Sequence, residues 1–218
     1  MVNRSKLSPL DMAFFASESA ASPKHVAGLS IFSRPANTTA DFAKRLYQDY
    51  LRCTAVKAPF NRLIKFAVAA LPVWEDCASI DLRQHIYFHR LPKDKNDQNG
   101  RESLYRFIAK LHTPMLDRSR PLWEVHVIDG LGDGRFALYQ KVHHAYADGV
   151  TMSRWIEAGM TRSATDLTLT PAWTLEPTSR RHLPVALAVV REMLRADLEA
   201  LRRDFSTVTS NGIGRATD

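Results

Sequence analysis

The chain has 218 residues, of which 45% are hydrophobic and 24% are charged, a composition typical of an ordinary globular protein. Its longest apolar stretches, residues 66–74 and 183–190, are far shorter than the roughly 20 residues that a membrane-spanning helix needs. We therefore expect no transmembrane anchor, and also no signal peptide, because Asp11 and Glu18 interrupt the segment behind the basic N-terminus.

The charge of the chain fits an anionic partner. A net charge of +7 and an isoelectric point near 9.6 would suit nucleic acid, an anionic membrane surface or a phosphate-rich cofactor such as coenzyme A. The basic residues are scattered, without the aromatic-studded motif of an RNA-binding sheet, which argues against nucleic acid. Cys53 and Cys77 have neither CxxC spacing nor a nearby histidine pair, so we expect no disulfide framework and no metal site, in a reduced cytoplasmic protein.

The first part of the chain predicts a strand followed by a helix. Residues 25–32 form an apolar run that should stop before Pro35, because proline lacks the N–H that a sheet needs. A helix capped by Thr39 or Asp41 should follow up to about Cys53. Its apolar residues recur at helical spacing: Phe42, Leu46 and Tyr50.

The middle of the chain predicts a strand, a helix, a hairpin and a further helix. Residues 84–91 alternate loosely between apolar and polar, and residues 102–111 carry one apolar helical face. Residues 123–128 and 136–142 are two strand-like runs joined by Asp-Gly-Leu-Gly-Asp-Gly, which favours an antiparallel hairpin. Residues 150–160 are spaced as a helix.

The last part of the chain predicts a linker and a long helix outside a domain formed by residues 1–160. Residues 161–182 are rich in Thr, Ser and Pro and lack a sustained period, which is typical of a linker. Residues 183–205 are expected to form an amphipathic connector helix, and residues 206–218 a flexible tail. The helix would carry an apolar stripe of Leu183, Leu187, Val190, Leu194, Leu198 and Leu201. The whole pattern indicates an α/β (α+β) fold, with a mixed β-sheet flanked by helices.

Titratable residues cluster at the junction between the second hairpin strand and the helix after it. The segment reads His143-His144-Ala145-Tyr146-Ala147-Asp148-Gly149. Adjacent residues of an extended segment point to opposite faces, so the two histidines should have different roles. Imidazole titrates near neutral pH and can take a proton from an alcohol and return it to a leaving group. Asp148 could hold the geometry or fix a tautomer, and Gly149 would permit a tight turn or the close approach of a substrate.

A purely structural interpretation of the same segment remains open. The two histidines would then simply end the strand, and Asp148 would cap the following helix, as aspartate often does at such a position.

The segment resembles the HHxxxDG motif of the coenzyme A-dependent acyltransferase superfamily, which includes chloramphenicol acetyltransferase and the condensation domains of peptide synthetases. Two further stretches resemble the opening and the PLW motif of the bacterial wax ester synthase/diacylglycerol acyltransferase family. They are Leu7-Ser8-Pro9-Leu10-Asp11 with His25-Val26-Ala27-Gly28-Leu29 downstream, and Arg120-Pro121-Leu122-Trp123-Glu124-Val125. The resemblance covers residues from about 7 to 160, and implies one half of a two-domain chloramphenicol-acetyltransferase-like fold.

The resemblance implies a role for each motif residue. His144 would be the catalytic base. His143 and Asp148 would belong to the same catalytic motif but would have a mainly structural role. Gly149 and the triplet of Pro121, Leu122 and Trp123 would contribute to substrate binding, although the triplet could equally be an ordinary hydrophobic start of a strand.

The resemblance also implies the reaction and its partners. A fatty acyl group would pass from acyl-CoA, a co-substrate and not a permanently bound cofactor, to a long-chain alcohol or diacylglycerol. Such enzymes have a second domain of similar fold, so a C-terminal half is an expected partner, and the inner face of the membrane or a lipid inclusion is an expected location. The sequence has no GxSxG motif, and neither cysteine is near the histidines, which favours direct transfer without an acyl-enzyme.

Two alternatives remain open from the sequence. One is a condensation-type domain that acts on carrier-bound thioesters. The other is a non-catalytic protein of truncated acyltransferase fold that binds lipid surfaces.

Overall fold

Two β-sheets organise the computed structural model, which describes residues 3–35, 38–67, 70–97, 99–163 and 166–176. The elements in chain order are β1 (Arg4–Lys6), α1 (Pro9–Ser17), β2 (His25–Ser33), α2 (Phe42–Arg52), β3 (Arg62–Ala67), β4 (Ala70–Asp76), a 3₁₀ turn (Leu82–Gln84), β5 (Ile86–Arg90), α3 (Arg101–His112), β6 (Trp123–Asp129), β7 (Arg135–His143), α4 (Gly149–Ala158) and a second 3₁₀ turn (Ala172–Thr174). Within these ranges, no helix combines the length and the apolar character needed to cross a bilayer.

The larger sheet is mixed and carries the histidine motif at one end. Its strand order is β2-β7-β6-β5, with β5 and β6 parallel and the other pairs antiparallel. The smaller sheet is antiparallel, with the order β1-β4-β3. The mixed sheet flanked by helices confirms the fold class predicted from the sequence.

Each face of the larger sheet is covered by helices. On one face, α2 and α4 pack through buried residues that include Tyr50, Met152 and Trp155. On the other face, α3 packs through Leu104, which has no exposed surface. Side chains alternate between faces along each strand, so every strand of this sheet contributes to both layers.

The α3 face of the sheet also contains a buried cation. Lys141 on β7 is only 1% exposed, and its Nζ donates to the carbonyl of Leu111 at 2.9 Å and to that of Pro114 at 2.5 Å. These carbonyls lie at the C-terminal end of α3, where a positive charge is favourable. Lys141 therefore fastens the end of α3 to the sheet.

The predicted strands and helices of residues 25–160 are confirmed, with ends that shift by a few residues. The hairpin joins β6 and β7 through a turn in which Gly130 and Gly134 have φ angles of +95° and +67°. Asp41 immediately precedes α2, but its side chain makes no capping hydrogen bond. The sequence interpretation did not identify β1, α1, β3 or β4.

Helix α1 starts at a capping box. The Ser8 side chain accepts the N–H of Asp11 at 3.1 Å, and the Asp11 carboxylate accepts the N–H of Ser8 at 3.4 Å. Pro9 occupies the first helical position, where its missing N–H costs nothing. These residues belong to the opening motif, and they fix where α1 begins.

The packed core extends beyond residue 160, where the sequence placed the end of the domain. Trp173 is 2% exposed, and its ring lies 5.4 Å from that of Trp123 and 5.3 Å from that of Tyr50. Its indole N–H donates to the carbonyl of Cys53 at 2.9 Å. Residues 171–176 therefore belong to the domain and not to a linker. The predicted connector helix (183–205) and tail (206–218) lie outside the described residues.

Candidate active site

The histidine motif occupies the junction between β7 and α4. His143 is the last residue of β7, and Asp148 directly precedes α4. The amide of His144 donates to the carbonyl of Lys24 at 2.9 Å, which ties the motif to the start of β2. The predicted order of strand, loop and helix is confirmed.

His143 is enclosed and its tautomer follows from its contacts. The residue has no exposed surface, and its Nδ1 accepts the backbone N–H of Ala145 at 3.0 Å. Because Nδ1 is an acceptor, a ring proton is assigned to Nε2. Nε2 lies 3.4 Å from Oε2 of Glu18. Nε2 makes no hydrogen bond among the described residues, and the Glu18 carboxylate is its charged neighbour. Fully enclosed and bonded at Nδ1, His143 has the surroundings of a structural residue.

His144 has a different environment, as the alternation of side chains predicts. It is half-buried, and its ring stacks on that of Phe14 with 4.7 Å between centroids. Its Nδ1 is shielded from solvent and has no hydrogen-bond partner among the described residues. Burial lowers the pKa of His144, the neighbouring His143 lowers it further, and the charge of Asp148 acts in the opposite direction. The imidazole is therefore neutral near pH 7 and able to accept a proton.

Asp148 is a helix cap. Its Oδ1 accepts the N–H of Thr151 at 2.7 Å, and its side chain is exposed at the start of α4. This satisfies one of the free N–H groups of the first helical turn. Asp148 therefore caps α4, as the structural interpretation of the sequence proposed. A catalytic role for Asp148 stays a prediction.

Gly149 does not need to be glycine for the sake of the backbone. Its φ is not positive, and a Cβ built there would meet no atom within 4 Å. The tight-turn explanation is therefore not required. The close approach of a substrate to this open position stays a prediction.

The Pro121-Leu122-Trp123 triplet lies beneath the motif. Leu122 and Trp123 are each 1% exposed, and the carbonyl of Leu122 accepts the N–H of His143 at 3.0 Å. The N–H of Leu122 donates to the Tyr146 hydroxyl at 3.1 Å, and that hydroxyl donates to the carbonyl of Arg62. Leu122 and Trp123 are therefore packed in the core under the motif. Contact of the triplet with a substrate stays a prediction.

Two residues that sequence reasoning missed complete the surroundings of His143. Glu18 follows α1, and its side chain is 1% exposed. Arg118 donates to Glu18 Oε2 through Nη2 at 2.9 Å and through Nε at 3.2 Å. The two residues are separated by 100 positions, so no local spacing could have paired them. The only available signal was that Glu18 interrupts an otherwise apolar N-terminal segment.

The fold and the site together define a class of protein. A mixed sheet with an HHxxxDG motif at a strand–loop–helix junction is the architecture of the condensation-type and chloramphenicol-acetyltransferase-like acyltransferases. A condensation domain of the calcium-dependent antibiotic synthetase superposes with a TM-score of 0.52 at 16% identity, over 69% of this chain and 36% of that one, which supports the fold alone.

Within that class, the chain belongs to the wax ester synthase/diacylglycerol acyltransferase family. The family model for the catalytic domain matches residues 7–216. A wax ester synthase/diacylglycerol acyltransferase from Marinobacter aquaeolei has a TM-score of 0.73 and 34% identity, covering 90% of this chain and 46% of that one. The family that the motifs resemble is thereby confirmed.

Mycobacterial relatives agree with this assignment. A putative diacylglycerol O-acyltransferase of Mycobacterium tuberculosis is 38% identical over 170 residues, which is 77% of this chain and 37% of the relative. A probable diacylglycerol O-acyltransferase of the same species is 33% identical over 180 residues, 81% of this chain and 38% of the relative. The matched part of the chain thus covers well under half the length of these relatives.

Proposed function

We propose that this chain supplies the histidine-bearing half of an O-acyltransferase that moves a fatty acyl group from acyl-CoA to a long-chain alcohol or diacylglycerol. The observation that carries the proposal is the contrast between the two histidines. His143 is fully enclosed, with Nδ1 bonded to the Ala145 amide and Nε2 beside the Glu18 carboxylate, whereas His144 is half-buried with a lowered pKa. His144 is therefore the residue of the pair that is free to exchange a proton with a substrate.

His144 acts as a general base in the proposed reaction. It removes the hydroxyl proton of the acceptor, and the acceptor oxygen attacks the thioester carbonyl of acyl-CoA. When the tetrahedral intermediate collapses, the carbon–sulfur bond breaks and the coenzyme A thiolate leaves. His144 then gives the thiolate the proton that it took from the acceptor hydroxyl. Acyl-CoA is a co-substrate in this scheme, and no permanently bound cofactor is needed.

The remaining motif residues have supporting roles in the proposal. Leu122 and Trp123 shape the floor beneath the acceptor, since Leu122 contacts both His143 and Tyr146 through its backbone. Gly149 leaves open space next to the motif, which suits the close approach of a substrate.

The proposed enzyme includes a C-terminal half that completes the site, because the chain covers only 46% of the Marinobacter structure. We place it in the cytoplasm, with peripheral attachment to the inner face of the membrane or to lipid inclusions. The net charge of +7 supports attraction to anionic lipid. Flotation with anionic liposomes, at low and high salt, tests the attachment. A full chain that floats no better than a chain ending at Arg180 would exclude the amphipathic segment as the attachment.

Acyl transfer itself is tested with and without an added C-terminal half of the Marinobacter relative. The assay follows the transfer of labelled palmitate from its coenzyme A thioester to hexadecanol or dioleoylglycerol. His144→Ala should lower the rate roughly 10²- to 10⁴-fold, the usual contribution of a general base. His112→Ala is a control, because His112 is exposed and its Nδ1 bonds to the Tyr139 hydroxyl, away from the histidine motif in the sequence.

The outcomes distinguish the alternatives. If folded His144→Ala retained transfer within a few-fold of wild type, the assignment of the base would be wrong. If the wild-type chain gave no transfer in either setting but still floated with lipid, the non-catalytic lipid-surface role would be favoured. Transfer only from a carrier-bound thioester would favour a condensation-type reaction.

A further inference from the structure

We propose that Glu18 is the positioning residue of the site, and that its carboxylate holds both motif histidines in place, one through each oxygen. The structural part of this inference stands on the contacts alone, and only its effect on catalysis rests on the proposed function.

The first oxygen of Glu18 serves His143. Oε2 faces Nε2 of His143 at 3.4 Å, the nitrogen to which the ring proton is assigned. The opposite nitrogen of the same ring accepts the N–H of Ala145. The contact at Nε2 is too poorly aligned to be a hydrogen bond and is electrostatic. The imidazole of His143 therefore has a hydrogen bond on one side and a carboxylate on the other, and a rotation of the ring would change both contacts.

The second oxygen of Glu18 serves His144 through the backbone. Oε1 accepts the N–H of Lys24 at 3.0 Å, and the carbonyl of Lys24 accepts the N–H of His144 at 2.9 Å. The backbone of a single residue, Lys24, thus connects the carboxylate to the proposed base. Phe14, on the same helix that leads to Glu18, stacks on the ring of His144.

Glu18 stays ionised although its side chain is buried, and Arg118 is one of the groups that keep it so. Burial by itself would raise the pKa of Glu18, but contacts with His143, the Lys24 amide and Arg118 outweigh it and lower the pKa to about 2. Arg118 is itself fixed, because its guanidinium lies 4.0 Å over the ring of Phe15 and donates to the carbonyl of Phe15 at 3.0 Å. The end of α1 and Arg118 therefore form one rigid support.

The arrangement requires a carboxylate because both of its oxygens accept. A glutamine of the same shape has a single acceptor end and a donor NH₂ end. Turned one way, its NH₂ would point at the donors of Arg118 and His143. Turned the other way, it would point at the N–H of Lys24. Glu18→Gln should consequently preserve the volume of the side chain and lose one of the two connections.

The test uses the full 218-residue chain labelled with ¹⁵N-histidine. In the wild type, the Nε2 proton of His143 and the amide proton of His144 should exchange slowly with solvent, because each faces an acceptor inside the protein. In Glu18→Gln, at least one of these protons should exchange at least tenfold faster, at a pH where both chains are folded. Neither readout requires the chain to catalyse a reaction.

The matched control is Asp129→Asn. Asp129 is a second largely buried carboxylate, paired with Arg90 at 2.9 Å, and it lies on β6 at the opposite end of the sheet from the motif. Its substitution should lower the stability of the fold without changing either histidine proton. Unchanged histidine exchange in Glu18→Gln, or equal changes in Asp129→Asn, would overturn the proposal.

The catalytic consequence is measured separately in the complemented transfer assay. Glu18→Gln should lower kcat by roughly 10²-fold, which is what a small misplacement of a catalytic group can cost. The KM for acyl-CoA should stay within about threefold, because the Glu18 side chain is only 1% exposed and the substitution keeps its volume. Faster exchange without any loss of kcat would contradict the positioning role while leaving the acyl-transfer proposal intact.

Discussion

Replacement of Tyr146 by phenylalanine should destabilise the fold from within the histidine motif. The Tyr146 side chain is 1% exposed. Its hydroxyl accepts the N–H of Leu122 at 3.1 Å and donates to the carbonyl of Arg62. Tyr146→Phe keeps the ring and creates no large cavity, so the change isolates the two hydrogen bonds.

The expected loss follows from what the hydroxyl leaves behind. The buried N–H of Leu122 would have no partner, which costs about 1–3 kcal/mol, and the carbonyl of Arg62 would lose a donor. The free energy of unfolding should thus fall by about 2–3 kcal/mol. For a chain of this size, that corresponds to a decrease in Tm of roughly 5–10 °C.

Urea unfolding followed by tryptophan fluorescence measures this difference in the full chain. Tyr105→Phe is the control, because Tyr105 is 48% exposed and its hydroxyl only accepts a surface contact from Arg101. The control should change the free energy of unfolding by less than about 0.5 kcal/mol. If Tyr146→Phe were equally mild, the hydroxyl would not be the link between the motif and the strands beneath it.

Three further predictions follow from the described contacts. Because the pKa of Glu18 is lowered to about 2, its contribution of about 3 kcal/mol is present above pH 4.5 and lost as the pH falls towards 2. Acid unfolding of Glu18→Gln should lack this loss, and parallel pH profiles for the two chains would contradict it. Gly130→Ala should lower the free energy of unfolding by more than about 2 kcal/mol, since φ is +95° and the new Cβ would lie 2.6 Å from the carbonyl oxygen of Leu91. Gly149→Ala, the control, should change it by less than about 0.5 kcal/mol. Thermal unfolding of both variants measures the difference. Smaller and larger apolar residues at Leu122 should change the ratio of transfer rates for short and long alcohols, and an unchanged ratio would limit the triplet to core packing.

The local parts of the fold could be predicted from the sequence. Two strand-like runs around a turn rich in Gly and Asp predict the hairpin of β6 and β7. One apolar face predicts α3. Each of these signals lies within one short, continuous stretch of the sequence. The parallel pairing of β5 with β6 has no comparable signal, because α3 and a loop separate the two strands. The hairpin of β3 and β4 was missed because its apolar run does not alternate.

The residues of the site likewise fall into those that the sequence could predict and those that it could not. The histidine pair and the cap at Asp148 are contiguous, so their spacing predicts both the different environments of the two rings and the start of α4. Glu18 and Arg118 meet only after folding, and each looks like an ordinary charged residue in the sequence. Trp173 likewise stands alone in a polar segment, without the periodicity that would have placed it in the core.

The packing of residues 171–176 against the core determines what proteolysis of the preceding segment would produce. Arg162 is exposed in the preceding segment, where trypsin can cut the backbone. The cut would not release the segment that follows it. The indole N–H of Trp173 donates to the carbonyl of Cys53, and the carbonyl of Trp173 accepts the N–H of Lys57 at 2.8 Å. A nicked protein would therefore migrate as one species under native conditions and separate into two fragments only in denaturant.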